Sequence, residues 1–225
     1  KENESAEGMV VLNPNEWDDT ETLGGFSPSR DGKYVAYGVA HGGDENPVVQ
    51  IMVTATGELL PDTLRGWKQS VGAWMPGNEG FYYTCNPLEG EVPEGEHEYW
   101  HAAWYHKLGT EASEDVMVFN DEEVKETWHG VWLSESTEYT VYYRGLFNAN
   151  ELYFQKTGDE GDLIPIATGM DNQYGVDILG DKMLITTNED APRKMVYVTT
   201  VDRPERENWK VFLPEHETDK LSHIS

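Results

Sequence analysis

The chain has 225 residues, with 42 acidic against 16 basic side chains, a formal charge of −26 and a single cysteine. A surface this acidic repels phosphate backbones and anionic headgroups, which excludes nucleic acid and membrane lipid as partners, and one thiol excludes an intrachain disulfide. No apolar run approaches the roughly 18 residues that span a bilayer and no signal peptide is visible, so a soluble protein of the cytoplasm or periplasm is expected.

In chain order, residues 1–24 read as an acidic, irregular lead-in with a short apolar patch at Met9–Leu12 and a sequon at Asn3-Glu4-Ser5. Alternation and β-branched or aromatic enrichment then predict strands at Tyr34–Val39, Val48–Val53, Phe81–Thr84, Ala102–His106, Val116–Phe119, Thr140–Arg144, Glu151–Gln155, Lys182–Thr187 and Met195–Thr200. Asp31-Gly32, Thr56-Gly57, Gly77-Asn78 and Thr157-Gly158 supply turn chemistry. The segment Asn86–Tyr99, with Pro87, Pro93 and several Glu, predicts a mobile insertion. No 3.6-residue stripe persists, so the chain is all-β, with no internal linker.

A unit recurs along the chain: a polar or Gly-containing turn, an aromatic-rich strand, a variable loop and a second strand ending in another turn. It begins as S-P-S-R-D-G-K-Y-V-A-Y-G at Ser27, W-M-P-G-N-E-G-F-Y-Y-T-C at Trp74, L-S-E-S-T-E-Y-T-V-Y-Y-R-G at Leu133 and, more weakly, I-L-G-D-K-M-L-I-T-T-N at Ile178. Repeats of about 40 to 50 residues built from short strands indicate a β-propeller. The reading is of about four four-stranded blades, near 25–65, 66–120, 121–170 and 171–215, with Trp209–Ser225 starting a fifth.

Few constellations carry chemistry. His97-Glu98-Tyr99-Trp100-His101 fits H-E-x-x-H, but Pro93 and Gly95 upstream and a strand downstream deny it a helix. In an extended strand the two imidazoles would stand about 13 Å apart, too far to share a metal. No G-x-S-x-G elbow, phosphate cradle or CxxC set occurs. Cys85 reads as a small buried side chain, Trp74, Trp104 and Trp132 as blade core, and His41, His129 and His216 as structural or exposed. The acidic runs Glu94–Glu98 and Asp121–Glu123 read as solvated loop faces. No catalytic, cofactor-binding or metal residue is assigned, and no cofactor is expected.

Six stretches carry a more specific likeness: F-S-P-S-R-D-G-K-Y-V-A-Y-G (Phe26–Gly38), E-L-L-P-D-T-L (Glu58–Leu64), W-M-P-G-N-E-G-F-Y-Y (Trp74–Tyr83), Y-H-K-L-G-T-E-A-S-E-D (Tyr105–Asp115), T-N-E-D-A-P-R-K (Thr187–Lys194) and W-K-V-F-L-P-E-H (Trp209–His216). In this order they resemble the β-propeller domain of the prolyl oligopeptidase (prolyl endopeptidase) family of serine peptidases, from about Val10 to the end. The resemblance implies a seven-bladed ring stacked on an α/β-hydrolase domain that cuts short proline-containing peptides with a Ser-Asp-His triad, the ring keeping large folded substrates out. No position of this chain matches the triad, so the chain by itself is expected to be inactive.

A four-blade arc leaves open sheet edges and faces at both ends. With a first residue of Lys rather than Met, this makes the chain expected to be a piece of a larger enzyme, its partners being the hydrolase domain and short proline-containing peptides. An independent propeller module binding peptide or protein is the alternative. A propeller enzyme acting on glycans through paired carboxylates is a more distant one.

Overall fold

The computed structural model describes residues 8–222 and 224. Fifteen strands among them form four antiparallel sheets, each in chain order. The first holds β1 (Glu21–Pro28), β2 (Tyr34–His41) and β3 (Val48–Val53). The second holds β4 (Trp67–Trp74), β5 (Gly80–Asn86), β6 (Ala102–Lys107) and β7 (Val116–Phe119). The third holds β8 (Trp128–Leu133), β9 (Tyr139–Gly145), β10 (Asn150–Lys156) and β11 (Ile164–Ala167). The fourth holds β12 (Tyr174–Leu179), β13 (Lys182–Thr187), β14 (Met195–Thr200) and β15 (Lys210–Leu213).

Sheet packs on sheet: β4 lies against β1–β3, β8 against β4–β6, and β12 against β10. This is the radial stacking of propeller blades, with the first strand of each sheet innermost. The second strands of the first two sheets are therefore covered on both faces, which explains their near-continuous apolar runs. β2 buries six consecutive residues from Val35 to Ala40, and β5 buries Gly80 to Tyr83. Each seam has its own core. Ala36, Val49 and Ile51 meet Trp74, Phe81 and Tyr83 between blades 1 and 2. Tyr82 and Ala103 meet Val131 and Tyr142 between blades 2 and 3. Leu152 and Phe154 meet Val176, Met183 and Ile185 between blades 3 and 4. On the far face of blade 1, Val35, Tyr37 and Val39 are covered by Leu12 and Trp17 of the lead-in.

The first hairpin turns repeat in detail. The Ser29 hydroxyl accepts the Tyr34 N–H at 3.0 Å, and the Ser134 hydroxyl accepts the Tyr139 N–H at 3.1 Å. The repeat seen in the sequence is thus a repeated side-chain-to-backbone turn lock. Toward the axis the blades crowd. A Cβ on Gly72 of β4 would lie 2.8 Å from the Val131 carbonyl of β8, so this inner crossing requires glycine.

Several expectations need correction. Strand structure begins at Glu21, inside the segment read as irregular, because Thr22 and Leu23 pair with Ala40 and Val39 before a bulge between Leu23 and Gly25 breaks the alternation. The first sheet has three strands. Only Glu58–Leu60 adds to β3, through a Met52–Leu59 bridge and the Leu60 N–H donated to the Ile51 carbonyl at 2.8 Å, before Pro61. Trp209 starts no fifth repeat. Its indole N–H bonds the Pro204 carbonyl at 2.7 Å, and the following β15 pairs with β14 to finish the fourth sheet.

The segment Asn86–Tyr99 is pinned at several points. Glu91 holds Arg65 (2.9 Å), Glu98 holds Lys68 (2.7 Å), Glu96 holds Lys125 (2.6 Å), and the His97 carbonyl accepts the Trp67 indole N–H at 2.9 Å. Its charge is mostly paired with blade 2 and blade 3 cations. Asp121, read as solvated, is buried. It accepts the N–H groups of Glu123 and Val124 at 2.9 and 3.0 Å and faces Arg144 at 3.2 Å. Burial pushes its carboxyl up, but those donors outweigh it and hold it below the usual range. Asn3 of the sequon lies outside the described residues.

Candidate functional site

The densest polar constellation sits inside blade 2. His106 on β6 points Nδ1 at Asp115 Oδ1 (2.7 Å) and Nε2 at Asp62 Oδ1 (3.1 Å), and the Tyr83 hydroxyl donates to Asp115 Oδ2 at 2.6 Å. The Gly109 N–H closes the set on Asp62. Side-chain exposure is 0% for His106 and Asp115 and 2% for Asp62. Burial alone would lower the imidazole pKa, but the bonds to Asp115 and Asp62 outweigh it and raise it above the ordinary value. Burial and Asp115 push the Tyr83 phenol up. Two carboxylates on one imidazole suit a doubly protonated ring that donates on both sides. The set superficially resembles a His-Asp catalytic pair, but no substrate atom reaches a site this closed. It clasps the β3–β4 connection and the β6–β7 connection to the blade core.

A second constellation lies at the seam of blades 2 and 3. The His101 and His129 rings stack at 6.1 Å with a 12° interplanar angle, and His101 Nδ1 accepts the His129 backbone N–H at 2.9 Å. Trp128 and Phe119 pack on them. Neither ring nitrogen of His129 has a hydrogen-bond partner among the described residues. Burial, with His129 adding repulsion, lowers His101 to about 4. Burial also lowers His129 to about 4 against the opposing pull of the His101 contact and Asp121. Beside the pair, Arg144 bridges Asp121 and Glu151 at 3.2 Å each, and Glu151 accepts from Tyr153 and from the Gly169 N–H at 2.8 Å each.

Two clefts open at the end of the arc that carries the β5–β6, β9–β10 and β13–β14 loops. One, of about 610 Å³, is walled by Arg65, Trp100, Trp104 and Glu91, with the Arg65 guanidinium 4.0 Å over the Trp104 ring. The other, of about 430 Å³, lies between blades 3 and 4, beside Phe147, Tyr174, Asp177 and Lys194. Phe147 is fully exposed, and burial pushes the Asp177 carboxyl up.

The residues singled out in the sequence scatter. His97 packs on Trp67 at 5.1 Å while His101 joins His129, so the two imidazoles of the H-E-x-x-H string serve different contacts. Cys85 lies within β5, buried, its thiol pushed up to about 12 mainly by that burial. Trp74 is core, stacked on Tyr34 at 6.0 Å, and Trp132 is packed against the blade 3–4 core. Trp104 also lines the larger cleft. His41 and His216 are exposed. Among the described residues no group of three or more His, Cys, Asp or Glu side chains could hold a metal. The sequence reading missed the His106 cluster, though every member lies in the quoted stretches: Asp62 in the second, Tyr83 in the third, His106, Gly109 and Asp115 in the fourth. The last two stretches also meet, where Glu215 accepts the Arg193 N–H at 2.6 Å and the His216 carbonyl accepts the Arg193 Nε–H at 2.8 Å.

Radial sheets, an inner glycine crossing and polar clusters sealed within blades and seams define a β-propeller arc, a scaffold class whose chemistry is set by what surrounds it. The family model described as the prolyl oligopeptidase N-terminal β-propeller domain matches residues 1–225, and the chain belongs to that family. It is 33% identical over 212 residues to the prolyl endopeptidase of Elizabethkingia meningoseptica, an alignment that covers 92% of this chain and 30% of the relative. Prolyl oligopeptidase A of Amanita bisporigera is 26% identical, over 96% of this chain and 32% of the relative. Among solved structures, one from a study of two prolyl endopeptidases superposes with a TM-score of 0.90 at 29% identity, covering 99% of this chain and 33% of its own. Prolyl oligopeptidase B of Galerina marginata, bound to a 25mer macrocyclization substrate, shares the fold with a TM-score of 0.81 at 22% identity. The chain therefore spans about a third of the length of these proteins.

Proposed function

We propose that this propeller arc gates a proline-specific serine oligopeptidase, admitting short peptides to a triad carried by an α/β-hydrolase domain and excluding folded proteins. The observation that carries this reading is the match of the propeller-domain model to all 225 residues, in relatives three times as long. The sealing of the blade 2 His-Asp cluster supports it, since that cluster serves the scaffold and leaves the chemistry to another domain. The excess of acidic side chains adds a modest preference for neutral or basic peptides that weakens as salt rises.

The test uses the whole peptidase and a ladder of peptides of increasing length around one proline bond, with a folded protein displaying the same bond in a surface loop. The expected outcome is a kcat/KM that falls steeply with length and no cleavage of the folded protein. Cleavage of the folded protein at the rate of the short peptide would overturn the gate.

A further inference from the structure

The turn between β1 and β2 reaches across a blade. The Arg30 guanidinium donates from Nη1 to the Glu135 carbonyl at 2.9 Å and from Nη2 to the Ser134 carbonyl at 3.0 Å, both in the β8–β9 turn of blade 3. The neighbouring Asp31 carboxylate accepts from Asn78 Nδ2 at 2.9 Å in the β4–β5 turn of blade 2. Asp31 is itself fixed, by the Lys33 N–H at 3.1 Å and the Ser29 hydroxyl at 2.9 Å, and those donors with Asn78 lower its carboxyl to about 2. One Arg-Asp pair in one turn thus ties together the first hairpin turns of three successive blades.

The geometry has a consequence for the ring opening. Each of these turns follows the innermost strand of its sheet, so it stands at the axial rim. Three turns on an arc define a chord from the first to the third that passes on the axis side of the second. Arg30 spans that chord, from blade 1 to blade 3, and its side chain therefore lies nearer the axis than the blade 2 rim. The planar fork grips two consecutive carbonyls at once, a fit that the single ammonium of lysine cannot reproduce. Blade 4 lies outside the clasp, since its corresponding turn is only Gly180-Asp181.

We infer that Arg30 is a specificity-determining residue that narrows the axial opening at this end of the ring and holds blades 1 to 3 as one rigid unit. The inference rests on the gating reading above and names a side chain that sets the aperture. The test compares the whole peptidase with its Arg30→Ala and Arg30→Lys variants. The first readout is amide hydrogen exchange in Ser134–Thr137, which reports the clasp without activity. The expected result is faster exchange in both variants, and unchanged exchange would overturn the clasp whatever the kinetics show. The second readout is kcat/KM along the peptide ladder. The expected result is an unchanged value for the shortest peptide with a several-fold rise for the longest. A parallel fall at all lengths would mark Arg30 as merely structural and overturn the inference. A wild-type enzyme with no length dependence would sink the gate, and the aperture role with it, while the exchange result would still decide whether the clasp exists.

Discussion

The interior of blade 2 and its seam with blade 3 hold buried histidines that titrate in opposite directions. His106 lies between two carboxylates and its pKa is raised. His101 and His129 lie against each other among aromatic rings, and theirs are lowered to about 4. Burial pulls all three down, and the partner decides the outcome. The difference teaches what each region is built for. The blade interior uses a charged hydrogen-bonded clasp to fix two long connections, while the seam uses neutral stacked rings that fit an apolar interface.

The sharpest way to break the comparison is to remove one carboxylate from the clasp. Asp115→Ala leaves a buried imidazole with a single partner and takes the carboxylate acceptor from the Tyr83 hydroxyl, a loss of about 3–5 kcal/mol in unfolding free energy. Denaturant titration of the propeller-bearing protein checks this, and a loss near that of an exposed ion pair, under about 1 kcal/mol, would show that the clasp carries little.

A somewhat smaller effect lies at the seam. Because both folded pKa values are depressed, the unfolded chain takes up protons first. The stabilising neutral state is present above the ordinary imidazole value and is lost as the pH falls from about 6.5 toward about 4. The gap is worth up to about 3 kcal/mol per ring. Protonation of His101 at Nδ1 would also set two donors face to face at the His129 N–H. His129→Phe keeps the ring and drops one titration. Its stability measured across this window should therefore fall less steeply than that of the wild type, and identical slopes would remove the seam from the account.

Much of the fold was legible in the sequence, and particular residues explain the remainder. The second and third strands of each blade announce themselves through β-branched and aromatic residues, near-continuously buried in β2 and β5 and alternating in β13. The innermost strands β4, β8 and β12 were not predicted. They carry Ser70, Gly72, Gly130 and Gly175, small residues that erase the alternation, and at Gly72 the close approach of the Val131 carbonyl demands glycine. The clasp was legible only as letters. Asp62, Tyr83, His106 and Asp115 were all in view, but His106 and Asp62 are 44 residues apart in the chain, and nothing local says that they touch. His101 attracted notice for a metal string it does not serve, and its real partner, His129, lies 28 residues on, brought there by the packing of β8 on β6.

The most direct test of the account is the protonation state of His106 in the folded protein, read from the nitrogen chemical shifts of its imidazole at neutral pH. With a carboxylate acceptor on each side, both ring nitrogens of His106 are predicted to carry protons there, while His101 and His129 are neutral, and stability from His106 is predicted to be complete below an ordinary imidazole pKa and lost as pH rises through its raised folded value. A His106 that is singly protonated at neutral pH, or that titrates together with His101 and His129, would contradict it.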